Sequence, residues 1–370
     1  MVRPVLFMNY GGAMRWRTKS GETLEADLGT PLTKDVTSHA WRTALSPTGE
    51  WIPTVLAAAD KRLDEARRHV PDAGGLVIAT DQSQARAYAR RLEDISGEKP
   101  AVVLSDDRGA SRRIEDFSTN NQRWMVAVRM VSEGVDVPRL MVGVYATATS
   151  TPLFFAQAVG RFVRSRRKGE IATIFLPTVP ILLNHASSLE RQRDHVLGRP
   201  RGDDDLFTES EALLAQANQD QGAEDDLLGV FEPLESQATF DHVLYDSQAY
   251  GMHAEPLSQD EQDYLGLPGL LDTGQVRSLL ADRQRRQLRR RETQDRRSRT
   301  EPAVALHRAL ADKRKQLNSM VSQYAMVKGV PHSHVHANLR RACGGPGVPE
   351  ATSEQVDQRI ATIRKWLFSG

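Results

Sequence analysis

The chain has 370 residues, with 49 Lys and Arg against 48 Asp and Glu, a net charge of +1. As a whole it is no polybasic nucleic-acid coat, although charge can still be segregated locally. The single cysteine, Cys343, excludes an internal disulfide framework and any zinc site built on cysteine pairs. No apolar run nears the ~18–20 residues of a membrane span. Met1-Val2-Arg3-Pro4 also lacks the basic-then-apolar pattern of a secretory leader. A cytoplasmic setting without membrane contact is therefore expected.

In chain order, residues 1–50 open with a short strand-like run, Val5-Leu6-Phe7-Met8. Gly11-Gly12 and polar sequence with Trp16 and Trp41 follow. Residues 52–69 have helical periodicity: Val55, Leu56, Ala59 and Leu63 share one face, and Arg62, Glu65 and Arg68 lie on the other. From 74 to 177 short apolar strands alternate with helices. Strands are expected at 76–79, 101–104, 124–128, 140–145 and 171–176, and helices at 83–96, 109–117 and 152–164. That alternation predicts an α/β fold with a parallel sheet covered on both faces.

Beyond Pro177 a helix is expected near 181–197, then acidic and Gln-rich sequence around Asp203-Asp204-Asp205 and Glu224-Asp225-Asp226. Nine of the seventeen residues from 283 to 299 are Arg. Low order is expected at 200–225 and is an option for 283–299. The last 70 residues predict a small helical domain. It has one helix over 302–327 carrying Leu306, Leu310, Leu317 and Tyr324, and a turn at 344–346. A final helix carrying Val356, Ile360, Ile363 and Trp366 opens on a capping box of Thr352 and Gln355. The expected organisation is thus a lead-in segment over 1–50, an α/β lobe over 51–180, an acidic then Arg-rich helical or linker region over 181–300, and a helical domain over 301–370.

Two strings carry chemistry. Gln157-Ala158-Val159-Gly160-Arg161-Phe162-Val163-Arg164 is a Q-x-x-G-R-x-x-R pattern on an expected helix. Arg161 and Arg164 would share one helical face, Gly160 would leave room for close backbone approach, and two guanidiniums on one edge suit the charge of a transferring γ-phosphoryl group. The plainer reading is a solvated basic helix end, because Arg166, Arg167 and Lys168 follow. The second string, Ser132-Glu133-Gly134-Val135-Asp136-Val137-Pro138, follows a strand, where parallel sheets bind ligands. Its plainer reading is an ordinary turn.

In this order and spacing the two strings, with Gly75-Leu76-Val77-Ile78-Ala79-Thr80-Asp81 before them, resemble the second RecA-like lobe of superfamily-two DEAD/DEAH-box helicases. The chain resembles the C-terminal part of the actinobacterial members related to type III restriction translocases. The resemblance implies a RecA-like lobe followed by a mostly helical region, and an ATP-dependent helicase or translocase activity. Arg161 and Arg164 would be solvent-accessible arginine fingers reaching ATP and Mg²⁺ held mainly by a first lobe, in cis or in trans. Gln157 would contact the phosphates or the attacking water. Gly134, Asp136 and Gly160 would line the cleft, with Asp136 near the ribose. Thr80, Asp81 and Ser83, and Thr147 to Thr151 including Thr149, would face a nucleic-acid backbone, with DNA expected over RNA.

The chain departs from that family in lacking a G-x-x-x-x-G-K-[ST] phosphate loop and an acidic D-E-x-x box after a strand. Asp64-Glu65-Ala66-Arg67 matches the box by letter but sits within a helical pattern and is assigned to a solvated helix face. A fragment beginning near the junction of two lobes is therefore expected, without ATPase activity by itself. A non-catalytic nucleic-acid-binding or protein-interaction module built on a relic lobe is the alternative. Arg286 and Arg290 in the Arg-rich run are candidates for phosphate contacts, or else part of a solvated connector. His332, His334 and His336 alternate and so could line one strand face; structural zinc sites usually need cysteine pairs or i, i+4 His on a helix, so no metal is assigned and a polar-surface or nucleic-acid-facing role is expected.

Overall fold

The computed structural model describes residues 3–30, 33–104, 109–128, 137–196, 231–300, 302–348 and 351–368. It forms two compact units, Met1–Gln287 and Leu288–Gly370. The first contains β1 (Val5–Arg17), β2 (Thr23–Leu28), α1 (Lys34–Ala44), α2 (Trp51–Arg67), β3 (Gly74–Ala79), α3 (Gln82–Ser96), β4 (Ala101–Val103), α4 (Ala110–Thr119) and β5 (Trp124–Val128). It continues with β6 (Leu140–Ala146), α5 (Pro152–Gly160), β7 (Ala172–Pro177), α6 (Pro180–Val196), β8 (Glu232–Ser236), β9 (Thr239–Tyr245), β10 (Gln248–Tyr250), α7 (Gln259–Leu265) and the start of α8 (Thr273–Thr300).

Strands lie in the order β4-β5-β3-β6-β7-β1-β9-β10. From β4 through β1 every pairing is parallel. The central strands are buried along their whole length, as their unbroken apolar runs require. This is the α/β class expected, with a helical region after it.

The amino-terminal segment is more than a lead-in. The strand-like run at 5–8 extends to Arg17 and lies inside the sheet. Val5–Tyr10 pairs in parallel with β7, and β9 pairs antiparallel on the other side. The far half of β1 then pairs antiparallel with β2 and β8. The strand crosses between these surroundings at Gly11-Gly12. Gly12 has φ +121°, and a Cβ there would stand 1.8 Å from the Gln237 carbonyl oxygen, so only glycine fits. Residues 181–300 likewise contribute three strands, not only helix and linker. β9 and β10 form a hairpin through Asp246-Ser247, both at positive φ, the backbone that tight hairpins favour. Residues 283–299 lie within helix α8. The acidic stretch at 200–225 lies outside the described residues.

Arg62, expected on the solvent face of α2, is fully buried. Its Nε donates to Thr173 Oγ1 at 3.0 Å and its Nη1 to the Leu267 carbonyl. Burial lowers its pKa to about 10. The opposite face holds as expected, with Val55, Leu56, Ala59 and Leu63 in the core.

The second unit packs α9 (Pro302–Lys328), α10 (His332–Cys343) and α11 (Ser353–Phe368) around Leu317, Val321, Val335, Leu339, Val356, Ile360 and Ile363. Tyr324 and Trp366 pack against each other nearby at a tilt of 45°, with centroids 5.8 Å apart. The capping box is present: the Thr352 N–H donates to Gln355 Oε1 at 3.0 Å and the Gln355 N–H to Thr352 Oγ1 at 3.4 Å. The three histidines sit on a helix, not on a strand. The run Val335-His336-Ala337-Asn338-Leu339 buries at i, i+4 and so follows helical periodicity.

An ion pair closes the amino end of the sheet. Arg3 donates to Glu170 Oε2 at 2.5 Å, both side chains being fully buried, and also to the carbonyls of Leu140 and Pro138. Glu170→Gln would leave the Arg3 guanidinium buried without its countercharge. Chemical denaturation is expected to register a loss of about 3–5 kcal/mol, with most of it recovered in the Arg3→Met/Glu170→Met double variant.

Candidate functional site

The carboxyl edge of the parallel sheet brings two of the singled-out segments side by side. Ala79 at the end of β3 is in register with Ala146 at the end of β6. Thr80 and Thr147 therefore leave adjacent strands at the same edge, where open α/β sheets take their ligands. Asp81 caps α3, its carboxylate accepting the Gln84 N–H at 2.8 Å, and Ser83 is exposed in the first turn. Thr80 Oγ1 is buried and has no hydrogen-bond partner among the described residues.

Thr147 and Thr149 are buried, unlike the surface position expected of backbone contacts. Their hydroxyls lie 3.1 Å apart, and Tyr145 Oη donates to the Thr149 carbonyl at 2.6 Å. His185 Nε2 lies 2.8 Å from the Ser150 carbonyl. These bonds give 147–151 a fixed loop conformation, and Pro152 then starts α5 at its first turn.

Helix α5 carries the Q-x-x-G-R string, but it ends at Gly160, four residues short of the expected end. Arg161 is its C-cap. Arg161 and Arg164 are thus not presented by one continuous helical face. The cause lies in Phe162. The Phe162 N–H donates to the Val159 carbonyl at 2.9 Å, tightening the last turn. Its buried ring lies where a Cβ on Gly143 of β6 would stand 2.5 Å from Phe162 Cζ. Pulling this ring onto the sheet takes the chain out of the helix. The Arg3 N–H then donates to the Val163 carbonyl at 2.6 Å and holds the exit.

Within α5, Phe154, Phe155, Ala158 and Val159 are buried. Phe155 stacks on Phe7 and packs against Tyr145. At 100° per residue, Gln157 and Gly160 fall on the opposite side, and Arg161, just past the helix end, lies at the margin nearly in line with Phe154. Gln157 Oε1 has no hydrogen-bond partner among the described residues. A Cβ on Gly160 would meet nothing within 4 Å. Arg161 is half-buried and Arg164 exposed. Burial holds the Arg161 guanidinium below its ordinary pKa, and the nearby Arg164 charge pushes the same way. The two cations are thus close enough to feel each other despite the helix ending between them.

Arg166, assigned above to a basic helix end, is engaged within the fold. It pairs with Asp72 through both Nη atoms, and its N–H donates to Glu170 Oε2 at 3.0 Å. In the box-like string of α2, Asp64 accepts from Arg123 at 2.8 Å and Arg67 donates to the Ala73 and Asn121 carbonyls, each at 2.8 Å. Arg286 and Arg290 are exposed on α8. Gly134 and Asp136 lie outside the described residues. No group of three or more His, Cys, Asp or Glu is placed to hold a metal among the described residues. Nor is any described helix long and apolar enough to cross a membrane.

What sequence reasoning missed is the polar scaffold behind the site, above all Arg3, Glu170 and Arg139. Arg139 is buried over the Phe117 ring at 3.9 Å and donates to the carbonyls of Phe117 at 2.7 Å, Asp72 at 2.9 Å and Gln122 at 2.7 Å. Each is a charged residue beside an apolar run, and the sequence carries no signal for the distant carbonyls they meet.

No family model matches the chain. It is similar to an uncharacterized protein of Mycobacterium tuberculosis, 51% identical over 372 residues, covering 99% of this chain and 61% of the relative. An uncharacterized protein of Mycobacterium leprae is 49% identical over 372 residues, covering 99% of this chain and 62% of the relative. The chain thus spans about three fifths of the length of the curated relatives it matches. Among solved structures it has partial likeness to Saccharomyces cerevisiae Dbp5 bound to RNA and ADP BeF3, with TM-score 0.29, 15% identity, and coverage of 38% of this chain and 35% of that one. Domain 2 of the Mss116p DEAD-box helicase bound to an RNA duplex gives TM-score 0.30 and 11% identity, covering 46% of this chain and 66% of that one.

The two glycines of the site are expected to respond in opposite ways. Gly160→Ala meets no neighbour and gains helix propensity, so it should leave stability unchanged or raise it by up to ~1 kcal/mol. Gly143→Ala must displace the Phe162 ring and should cost about 1–3 kcal/mol. Thermal unfolding of the two variants separates them.

Proposed function

We propose that the first unit is the second RecA-like lobe of an ATP-dependent nucleic-acid helicase or translocase, its site being the outer face of α5 together with the carboxyl edge of β3 and β6. The observation that carries this reading is the division of α5. Its buried face is satisfied by the sheet, whereas the other side carries a buried Gln157 carbonyl with no hydrogen-bond partner among the described residues, a glycine that no internal packing demands and, at the helix end, a desolvated arginine. The buried Gln157 carbonyl gains its weight from lying on the same string as the glycine and the arginine.

Those residues fit a nucleoside triphosphate as partners in its charge, not as its cradle. Arg161 and Arg164 would face the transferring phosphoryl group, and Gln157 would hold the phosphate or the attacking water. Mg²⁺ and most of the nucleotide would be held by a first lobe, in cis or in trans. The bound triphosphate supplies the chemical driving force. This chain's part is to place two guanidiniums at the developing charge and to keep them there through the Phe162 anchor. Thr80 and Ser83, with Thr147 and Thr149 shaping the neighbouring loop, would lie along a nucleic-acid backbone, DNA in preference to RNA. Exposed Arg286 and Arg290 would add phosphate contacts.

The isolated chain is expected to show no nucleic-acid-stimulated ATPase. In a two-lobe protein that contains it, Arg161→Ala or Arg164→Ala should lower kcat for ATP on the order of 10³-fold without shifting the unfolding midpoint. Steady-state phosphate release with each variant is the measurement. Robust ATPase from the chain alone, abolished by Arg164→Ala, would overturn the division of labour between two lobes.

A further inference from the structure

The small net charge conceals a strong segregation. Residues 288–370 hold 16 Lys and Arg against 7 Asp and Glu, while residues 1–287 hold 33 against 41. Within the second unit the 37 residues from Lys313 to Pro349 contain no acidic residue at all. Helix α10 lies in the middle of that stretch. It follows α9 after only Gly329-Val330-Pro331, with Gly329 at φ +64° and the Val330 N–H donating to the Ala325 carbonyl at 3.1 Å. Two helices joined by so short a glycine turn are of the type found in αα-hairpins and helix-turn-helix units.

Val335 and Leu339 bury one seam of α10 against α9 and α11. The outer face presents Ser333, His334, Arg340 and Arg341, all exposed, around the small Ala337. Other basic side chains of the unit serve the fold: Arg359 donates to the carbonyls of Gly344 at 2.9 Å and Pro346 at 2.6 Å, and Lys313 pairs with Asp357 at 2.5 Å. His336, at the edge of the face, is held below the usual imidazole pKa by burial and by the charges of Arg340 and Arg359.

We infer that α10 is a duplex-DNA-binding helix, lying in the major groove with Arg340 and Arg341 on the flanking phosphates and Ser333 and His334 toward base edges. At ~1.5 Å per residue its length is about 18 Å, and a helix about 10–12 Å across matches the ~12 Å width of that groove. The major groove of an RNA duplex is too deep and narrow for it. Single strands are held on aromatic platforms, and α10 carries no Phe, Tyr or Trp.

The test is fluorescence anisotropy of the whole chain, without nucleotide, on a 20-base-pair DNA duplex across a salt series. The same measurement is made with the single strand, an RNA duplex of the same sequence, and vesicles containing phosphatidylserine. The DNA duplex should bind most tightly. R340Q/R341Q should weaken it at least tenfold and flatten the log–log salt slope by about 1.8, the loss of two phosphate contacts. R340K/R341K should restore most of the affinity, and circular dichroism should be unchanged in both variants. The inference fails if the wild type does not bind the duplex at low salt, or if R340Q/R341Q binds as well as wild type. Tighter binding of the single strand, the RNA duplex or the vesicles would likewise overturn it. Because no nucleotide is present, none of these outcomes bears on the ATP site of the first unit.

Discussion

The buried pair of Arg3 and Glu170 is the constraint on which the rest of the first unit depends. Two charges removed from water are tolerated only where further hydrogen bonds satisfy them. Here Arg3 also gathers the carbonyls of Pro138 and Leu140, and Glu170 accepts the Arg166 N–H. One guanidinium therefore joins the start of β1, the entry to β6 and the loop that leaves the Q-x-x-G-R string. Since the Arg3 N–H also holds the Val163 carbonyl, the same residue sets where the chain goes after Arg161. Strand pairing and site geometry are in this way consequences of one polar junction.

Arg62 and Arg139 repeat the device. Each is buried, each has its pKa lowered to about 10 by burial, and each donates to main-chain carbonyls at the ends of elements. At that value both remain charged near neutrality, so the desolvation cost is offset by charge-assisted bonds rather than by deprotonation. The planar fork of arginine suits this use, because one side chain can satisfy several carbonyls that no secondary structure reaches.

This device also marks the limit of what could be read from the sequence. The alternation of apolar strands and helices from 74 to 177 was legible because each element satisfies its own backbone and shows its period locally. The burial of Arg62 was not, since what covers it is the Leu267 carbonyl, 205 residues away. The place of β1 in the sheet was equally hidden: its antiparallel partners β8 and β9 are encoded more than 200 residues later. The early end of α5 followed from Phe162, whose apolar character fits a helical stripe as well as it fits the open space over Gly143. Periodicity alone cannot tell those two apart.

The site itself is best defined by what the fold leaves undone. In α5 the sheet needs the aromatic pair, the two small apolar residues and the Phe162 anchor, and their packing would be complete with any polar residues on the outer face. An alanine would fit at position 160 and would favour the helix, so stability alone does not explain a glycine there. A shorter or fully solvated side chain at 157 would avoid a buried carbonyl that has no hydrogen-bond partner among the described residues. Where local stability and the residue present disagree at two positions one turn apart on one face, the constraint is expected to come from outside the chain. The physical content of the site is therefore a surface whose glycine admits a close approach, beside a buried Gln157 carbonyl that has no hydrogen-bond partner among the described residues.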